Sequence, residues 1–254
     1  MYYFHNISPY LIQIESLGIN IYWYGFSYLV GFLICYNFVK KNIKKNINID
    51  NLFLYCIIGV IFGGRIGEVL FNNLNIMENP LKIFFIWEPG RSFHGAIIGV
   101  CLGIWLFSKK QKLNFLYITD LIVQAAPLGI FFGRLANFVN QELVGKISNL
   151  PFGVIFPKVD LYPRHPTQIY EALTEGLLLF FVIMIVRKKT DKQGYLTIVF
   201  LFCYSFFRFI IEFYKESYDS IGTILKYFNV GHVYCLLGII ISICMYIYLN
   251  KRKK

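Results

Sequence analysis

The chain has 254 residues, 57% hydrophobic and 19% aromatic, with a mean hydropathy of +0.55 and a formal net charge of +11. No soluble core of this size needs so much apolar surface, which excludes an ordinary soluble domain and indicates a polytopic membrane protein. The positive charge does not indicate nucleic acid, because the lysines flank apolar runs and no basic helix with interleaved aromatics or nucleic-acid motif is present.

Seven apolar runs read as crossings of about 30 Å of hydrocarbon. They are Ile21–Val39, Leu52–Leu70, Phe93–Phe107, Phe115–Phe132, Thr167–Val186, Tyr195–Phe213 and Val233–Leu249. No basic segment precedes the first, so no cleavable signal peptide is expected. Basic clusters follow the first run (Lys40, Lys41, Lys44, Lys45), the third (Lys109, Lys110, Lys112), the fifth (Arg187, Lys188, Lys189, Lys192) and the seventh (Lys251, Arg252, Lys253, Lys254). This alternation puts the N-terminus outside and the C-terminus inside. The expected fold is therefore all-α: seven transmembrane helices in a single integral membrane domain, 1–254, with an irregular extracytoplasmic cap. The cap elements are placed at about 71–92, 139–166 and 214–232, from the long outer connections. Pro151, Pro157, Pro163 and Pro166 argue for irregular or short-stranded structure in the second.

Glycines recur every four residues in Gly59–Gly63–Gly67, Gly95–Gly99–Gly103 and Gly129–Gly133, and close helix packing is their expected role. The six cysteines lie in apolar runs without metal-ligand spacing, so neither a disulfide framework nor a metal site is expected. No cofactor is implied either.

Lysine outnumbers arginine 18 to 7, yet five of the seven arginines (Arg65, Arg91, Arg134, Arg164, Arg208) fall on the outer half, where insertion does not favour them. The densest polar stretch is Gly133–Gly145, which carries Arg134, Asn137, Asn140, Gln141 and Glu142 directly after an apolar run. A charge at the bilayer centre costs about 2.5–3.5 kcal/mol on insertion scales, so such groups need a partner or a task. Arg134 and Asn137 share a face if the helix continues that far.

Other polar residues converge on the same outer level. Tyr24 opens the first span, Arg65 and Glu68 close the second, His94 opens the third and Arg164–Glu171 opens the fifth. Tyr204, Arg208 and Glu212 are spaced i, i+4, i+8 on the sixth, and so stack along one face. Two readings stand for several of them. Arg208 and Glu212 are either a self-neutralising pair or part of a site; Tyr24 and Tyr170 are either belt tyrosines or cavity residues. Arg164 and His165 are equally consistent with shaping the start of a helix and with catalysis. His94 is either a satisfied buried histidine or a base. Arg134 is the hardest to explain as structure alone, since arginine in a lysine-rich chain points to bidentate recognition of phosphate or carboxylate. A clamp of Arg134 and Arg208 around an anionic lipid headgroup would stabilise charge on a departing ester oxygen. With no nucleophile elbow or phosphate-binding loop in the sequence, the nucleophile is expected from a second substrate, with His94 taking its proton.

The Gly133–Gly145 segment resembles the signature of the bacterial prolipoprotein diacylglyceryl transferases, Gly-Arg-x-Gly-Asn-Phe-x-Asn-x-Glu-x-x-Gly. Further matches in order are Trp23-Tyr24-Gly25, Gly64-Arg65-x-Gly67, Ser92-Phe93-His94-Gly95, Arg164-His165-Pro166-Thr167-Gln168-x-Tyr170-Glu171 and Arg208-Phe209-x-x-Glu212-Phe213. The chain departs from the pattern at Ala136, Gln141 and Gly231-His232.

The resemblance implies transfer of the sn-1,2-diacylglyceryl group of phosphatidylglycerol to the lipobox cysteine of a prolipoprotein, forming a thioether and releasing glycerol phosphate. It implies a multi-pass protein of the bacterial cytoplasmic membrane with its site facing the extracytoplasmic side, acting on lipid and signal peptide within the bilayer. His94, Arg134 and Arg208 are then the catalytic candidates, and Tyr24, Arg65, Asn137, Asn140, Glu142, Gly145, Tyr204 and Glu212 the substrate-binding ones. Glu212 would orient Arg208, and Tyr24 and Tyr204 would line the cavity. The rival from another class is an organic-anion transporter or channel. It fits less well, because the polar groups crowd the outer ends and not the midplane between repeated halves.

Overall fold

The computed structural model describes residues 2–14, 19–43, 47–72, 92–216 and 228–251. Two short strands, β1 (Tyr3–Phe4) and β2 (Tyr10–Ile14), and a third, β3 (Ile19–Tyr22), precede α1 (Trp23–Asn42). Then come α2 (Ile49–Asn72), α3 (Phe93–Lys110), α4 (Phe115–Val123) and α5 (Ala126–Asn140). Strands β4 (Val154–Ile155) and β5 (Pro163–Arg164) lead into α6 (Thr167–Glu171), a π-helical segment (Ala172–Leu178) and α7 (Leu179–Lys189), which run on as one helix. Helices α8 (Tyr195–Glu212) and α9 (Val230–Lys251) follow.

Four described helices are long and apolar enough to cross a membrane: Ile49–Leu70, Thr167–Lys189, Tyr195–Glu212 and Val230–Lys251. They become five if α4 and α5 are taken as one bent span. Their outward faces are aliphatic and aromatic, with Leu70, Phe181, Ile185, Ile240 and Tyr248 all more than half exposed, as helices solvated by lipid require. Basic residues occupy the last turns of α1, α3, α7 and α9, where they also complement the negative helix end.

The fourth expected span is not the single helix its apolar run suggested. It breaks between α4 and α5 with a bend of 46°, and Pro127 lies in the first turn of the second piece, where a missing N–H is harmless. Helix α5 then carries on past Gly133 to Asn140 and ends on Gln141 in the left-handed conformation, φ 61°. Arg134, Asn137 and Asn140 therefore sit on the helix itself, not in the connection after it.

The chain forms two compact units, residues 39–121 and the remainder. In the smaller, α2 and α3 meet along the glycine stripe: a Cβ on Gly59 would lie 2.3 Å from Gly99 O, and one on Gly63 2.4 Å from Gly95 O. Only hydrogen at those positions permits this backbone contact, as the four-residue spacing predicts. The third glycine pair behaves differently. Gly129 faces Gly31 of α1, but a Cβ on Gly133 would meet nothing within 4 Å.

In the larger unit, α5 packs against the helix Thr167–Lys189, and α8 against α9. The segment 139–166, expected as a cap element, is short-stranded, as its prolines suggest: β1 pairs parallel with β4, and β4 antiparallel with β5. Val144, Val154 and Phe156 form its core with Phe138. His5 is buried against Phe138 and Phe156, ring centroids 5.0 and 5.7 Å away. The expected cap elements at 71–92 and 214–232 fall largely outside the described residues.

Candidate active site

The site is built where the C-terminal ends of α5 and α8 meet the N-terminal half of the helix Thr167–Lys189. Arg134 reaches from α5, Tyr204, Arg208 and Glu212 from α8, and Glu171 and Glu175, one turn apart, from the helix between them. Arg134 Nε lies 3.1 Å from Glu171 Oε2, and its Nη2 3.2 Å from Glu175 Oε2. Arg208 Nη1 contacts Glu171 Oε1 and stands 3.6 Å from Glu175 Oε1, while its Nε is 3.3 Å from Glu212 Oε2. Lys215, just past α8, places Nζ 3.1 Å from Glu171 Oε1.

The two arginines do meet, and they meet around carboxylates. Glu171 and Glu175 side chains are 0% exposed, whereas those of Arg134 and Arg208 are 15% and 19% exposed. The carboxylates are thus fully enclosed and the arginine side chains partly accessible. Desolvating an ion costs several kcal/mol even after relaxation, so each buried carboxylate requires these cations, and the cations in turn are held in one geometry by it. Arg134 Nη1 and Arg208 Nη2 carry no hydrogen bond to the described residues.

Glu212 contacts Arg208 and is itself held: Asn229 Nδ2 donates to Glu212 Oε1 at 3.0 Å. Gly231 passes so close that a Cβ there would lie 2.5 Å from Glu212 Oε1. His232 is buried, with Nδ1 2.9 Å from Asn229 Oδ1 and its ring enclosed by Phe209, Phe213 and Phe228. It braces the Asn229 and Glu212 pair from behind.

The signature segment forms a second, self-contained cluster. Asn137 Nδ2 donates to Glu142 Oε2 at 3.0 Å and Asn140 Nδ2 to Glu142 Oε1 at 3.2 Å. Gln168 Nε2 donates to Glu142 O, and Thr167 Oγ1 to Leu143 O. Gly145 N donates to His165 O at 3.0 Å, and a Cβ on Gly145 would sit 2.6 Å from both His165 Cβ and O. Tyr24 lies within electrostatic range of Glu142 and Arg134, its hydroxyl 3.0 Å from that of Tyr28.

Arg164 ties neighbouring segments together: it donates to Asp160, to Glu216 Oε2 at 2.8 Å and to Gly145 O at 3.0 Å. Its guanidinium holds the Asp160 carboxyl below the usual carboxylate range. His165 Nδ1 is 3.1 Å from the Tyr170 hydroxyl, and burial, with Lys146 adding, pushes its pKa below the ordinary value. Arg65 is buried on α2 in the smaller unit. The backbone of His94 is the second residue of α3, behind the N-cap Ser92; its side chain lies outside the described residues.

Sequence reasoning omitted Glu175, counted Lys215 only among the positive residues of the outer half and quoted Glu171 only as part of a motif. Two carboxylates four residues apart in an otherwise uncharged apolar run were the available signal for the glutamates, because neither is tolerated there without a cation from another helix.

Apolar helices with an internal ionic cluster between three of them define an integral membrane protein with a buried polar site. Comparison with known proteins then specifies the kind. A family model for prolipoprotein diacylglyceryl transferase matches residues 9–248. The chain is 43% identical over 238 residues to the phosphatidylglycerol–prolipoprotein diacylglyceryl transferase of Rickettsia typhi, covering 90% of this chain and 91% of that one. It is 40% identical over 254 residues to the protein of that name from Rickettsia bellii, covering 96% of each, and 41% identical over 240 residues to that of Rickettsia felis, covering 91% and 92%. The chain belongs to the prolipoprotein diacylglyceryl transferase family.

Proposed function

We propose that this chain transfers the diacylglyceryl group of phosphatidylglycerol to the thiol of a prolipoprotein lipobox cysteine, releasing glycerol phosphate. The observation that carries this reading is the convergence of Arg134 and Arg208, from separate helices, on one carboxylate pair, each side chain partly exposed and each keeping a guanidinium edge, Nη1 of Arg134 and Nη2 of Arg208, without a hydrogen bond to the described residues. A phosphodiester seated on those edges accepts from fixed, charged donors. Attack by the thiolate on the glycerol carbon forms the C–S bond and expels the phosphate, whose growing charge the same donors stabilise more strongly than the ground state.

The thiol is reactive as thiolate, with an ordinary pKa near 8.5, so a base is required, and His94 is assigned to it. Asn137, Asn140, Glu142 and Gly145 shape the lipid side of the site, Tyr24 and Tyr204 line it, and Arg65 adds to substrate binding. Seven crossings, N-terminus out and C-terminus in, put the site at the extracytoplasmic face of a bacterial cytoplasmic membrane, within one membrane domain. The basic last turns of α1, α3, α7 and α9 support that topology.

The direct test incubates the purified chain with phosphatidylglycerol labelled in the glycerol of its diacylglyceryl group and a lipobox peptide. Label is expected on the cysteine peptide, with none on its Cys→Ser counterpart; equal labelling of both, or of neither, refutes the assignment.

A further inference from the structure

Arg134, Arg208 and Lys215 supply three positive charges, and Glu171, Glu175 and Glu212 three negative ones, all joined by the contacts above. The cluster is already neutral. A phosphodiester entering it adds one negative charge in a region of low dielectric, where an uncompensated ion is strongly disfavoured. A carboxylate must therefore give up its charge or its position.

The three carboxylates are not equally held. Glu171 is contacted by Arg134, Arg208 and Lys215. Glu212 has Arg208 and a hydrogen bond from Asn229. Glu175 has only the two arginines among the described residues, 3.2 Å to Arg134 and 3.6 Å to Arg208, with no lysine or amide partner like those of the other two, and its Oε1, like one oxygen of each of the others, accepts no hydrogen bond from them. It also sits in the π-helical segment Ala172–Leu178, a local widening of the helix often associated with functional positions.

We propose that Glu175 is the proton-exchanging counter-ion of this site: it takes up a proton as the phosphodiester of phosphatidylglycerol binds to Arg134 and Arg208, and donates it to the phosphate oxygen released from the glycerol carbon. This deepens the function proposed above and rests on it. The balance closes. Binding consumes one proton, and the thiol loses one to its base. Thiolate attack forms C–S and breaks C–O, with the C–O electron pair leaving on the phosphate oxygen. Glu175 then protonates that oxygen, the product departs as a monoanion, and the restored carboxylate reclaims the guanidinium contacts, which favours product release. No net proton beyond the thiol's own is transferred.

The groups facing Glu175 are Arg134 from α5, Glu171 from α6, Tyr204 and Arg208 from α8 and, at longer range, Cys235 from α9. The basic residues of α7, Arg187, Lys188 and Lys189, lie at its far end, about 18 Å along the axis.

The test is titration calorimetry of phosphatidylglycerol into the full-length protein in nanodiscs, in buffers of different ionisation enthalpy, with turnover measured alongside. Wild type is expected to take up about one proton per lipid bound, with affinity weakening by up to about tenfold per pH unit once Glu175 must be protonated against the gradient. Glu175→Gln is expected to bind lipid at least as tightly with no proton uptake, while kcat falls by about 100-fold or more, the loss of a general acid. Glu175→Asp is expected to restore part of both. Binding to wild type without proton uptake, or unimpaired turnover in Glu175→Gln, overturns the proposal, and the wild-type measurement does so even if the variant does not fold. Absence of any phosphatidylglycerol binding instead overturns the proposed function itself.

Discussion

Arg134 contacts two carboxylates through two different nitrogens, Nε to Glu171 and Nη2 to Glu175, and holds a third nitrogen available. A lysine ammonium is a point charge on a flexible stem and cannot span that geometry. Arg134→Lys is accordingly expected to fold, because Glu171 keeps Arg208 and Lys215, but to lose about 100-fold or more in turnover. Near-normal rates in the purified variant, with an unchanged unfolding midpoint, would contradict the clamp. Gly145 is demanding for a different reason. Its neighbours at 2.6 Å are the Cβ and carbonyl oxygen of His165, and its own N–H is bonded to that oxygen. Gly145→Ala therefore pushes apart the strand segments that hold Glu142 opposite Asn137 and Asn140, at a cost of about 1–3 kcal/mol. A lowered thermal midpoint together with weakened lipid binding is the expected result.

Among the elements, the cap behaves as one piece. Arg164 ties Asp160, Glu216 and Gly145 together, Lys146 bonds back to the end of α8 through Phe213 O and Tyr214 O, and His5 wedges between Phe138 and Phe156. Burial depresses the pKa of His5 and of His165 below 6.5. The stability each contributes is thus fully present above pH 6.5 and is lost as pH falls through the folded-state value. Asp160 is depressed too, by Arg164, so its contribution survives until the pH drops below its ordinary 3.8. The protection of amides in 144–165, measured relative to their intrinsic exchange rate at each pH, is expected to fall as the pH drops below 6.5, driven by the histidines. Replacing both histidines by glutamine should flatten that change; an unaltered pH response would show that other groups control the cap.

For the whole molecule, the proposed topology puts the cap and the ionic cluster on one side and the lysine-rich helix ends on the other. Single cysteines introduced at Ser8 and Leu150 are expected to react with an impermeant maleimide on intact cells above the background of the native cysteines. One at Lys188 is expected to react only after lysis. The reverse pattern would invert the orientation and move the site to the cytoplasmic face.

Composition, the alternation of basic clusters and the ordered motifs were enough to identify a helical membrane protein of this family, because apolar length and charge placement act through the bilayer without reference to the fold. The glycine spacing in α2 and α3 was legible for the same kind of reason: close packing requires a missing Cβ at every turn. Proline and the apolar run together concealed the break before α5, since both pieces are equally hydrophobic and only packing sets the 46° bend. The arginines were visible as charges out of place, but not what they bind. Whether Arg134 and Arg208 stand open or neutralised depends on Glu171, Glu175 and Lys215 arriving from other parts of the chain, and electrostatic pairing across helices is a property of distance, which tertiary structure alone decides.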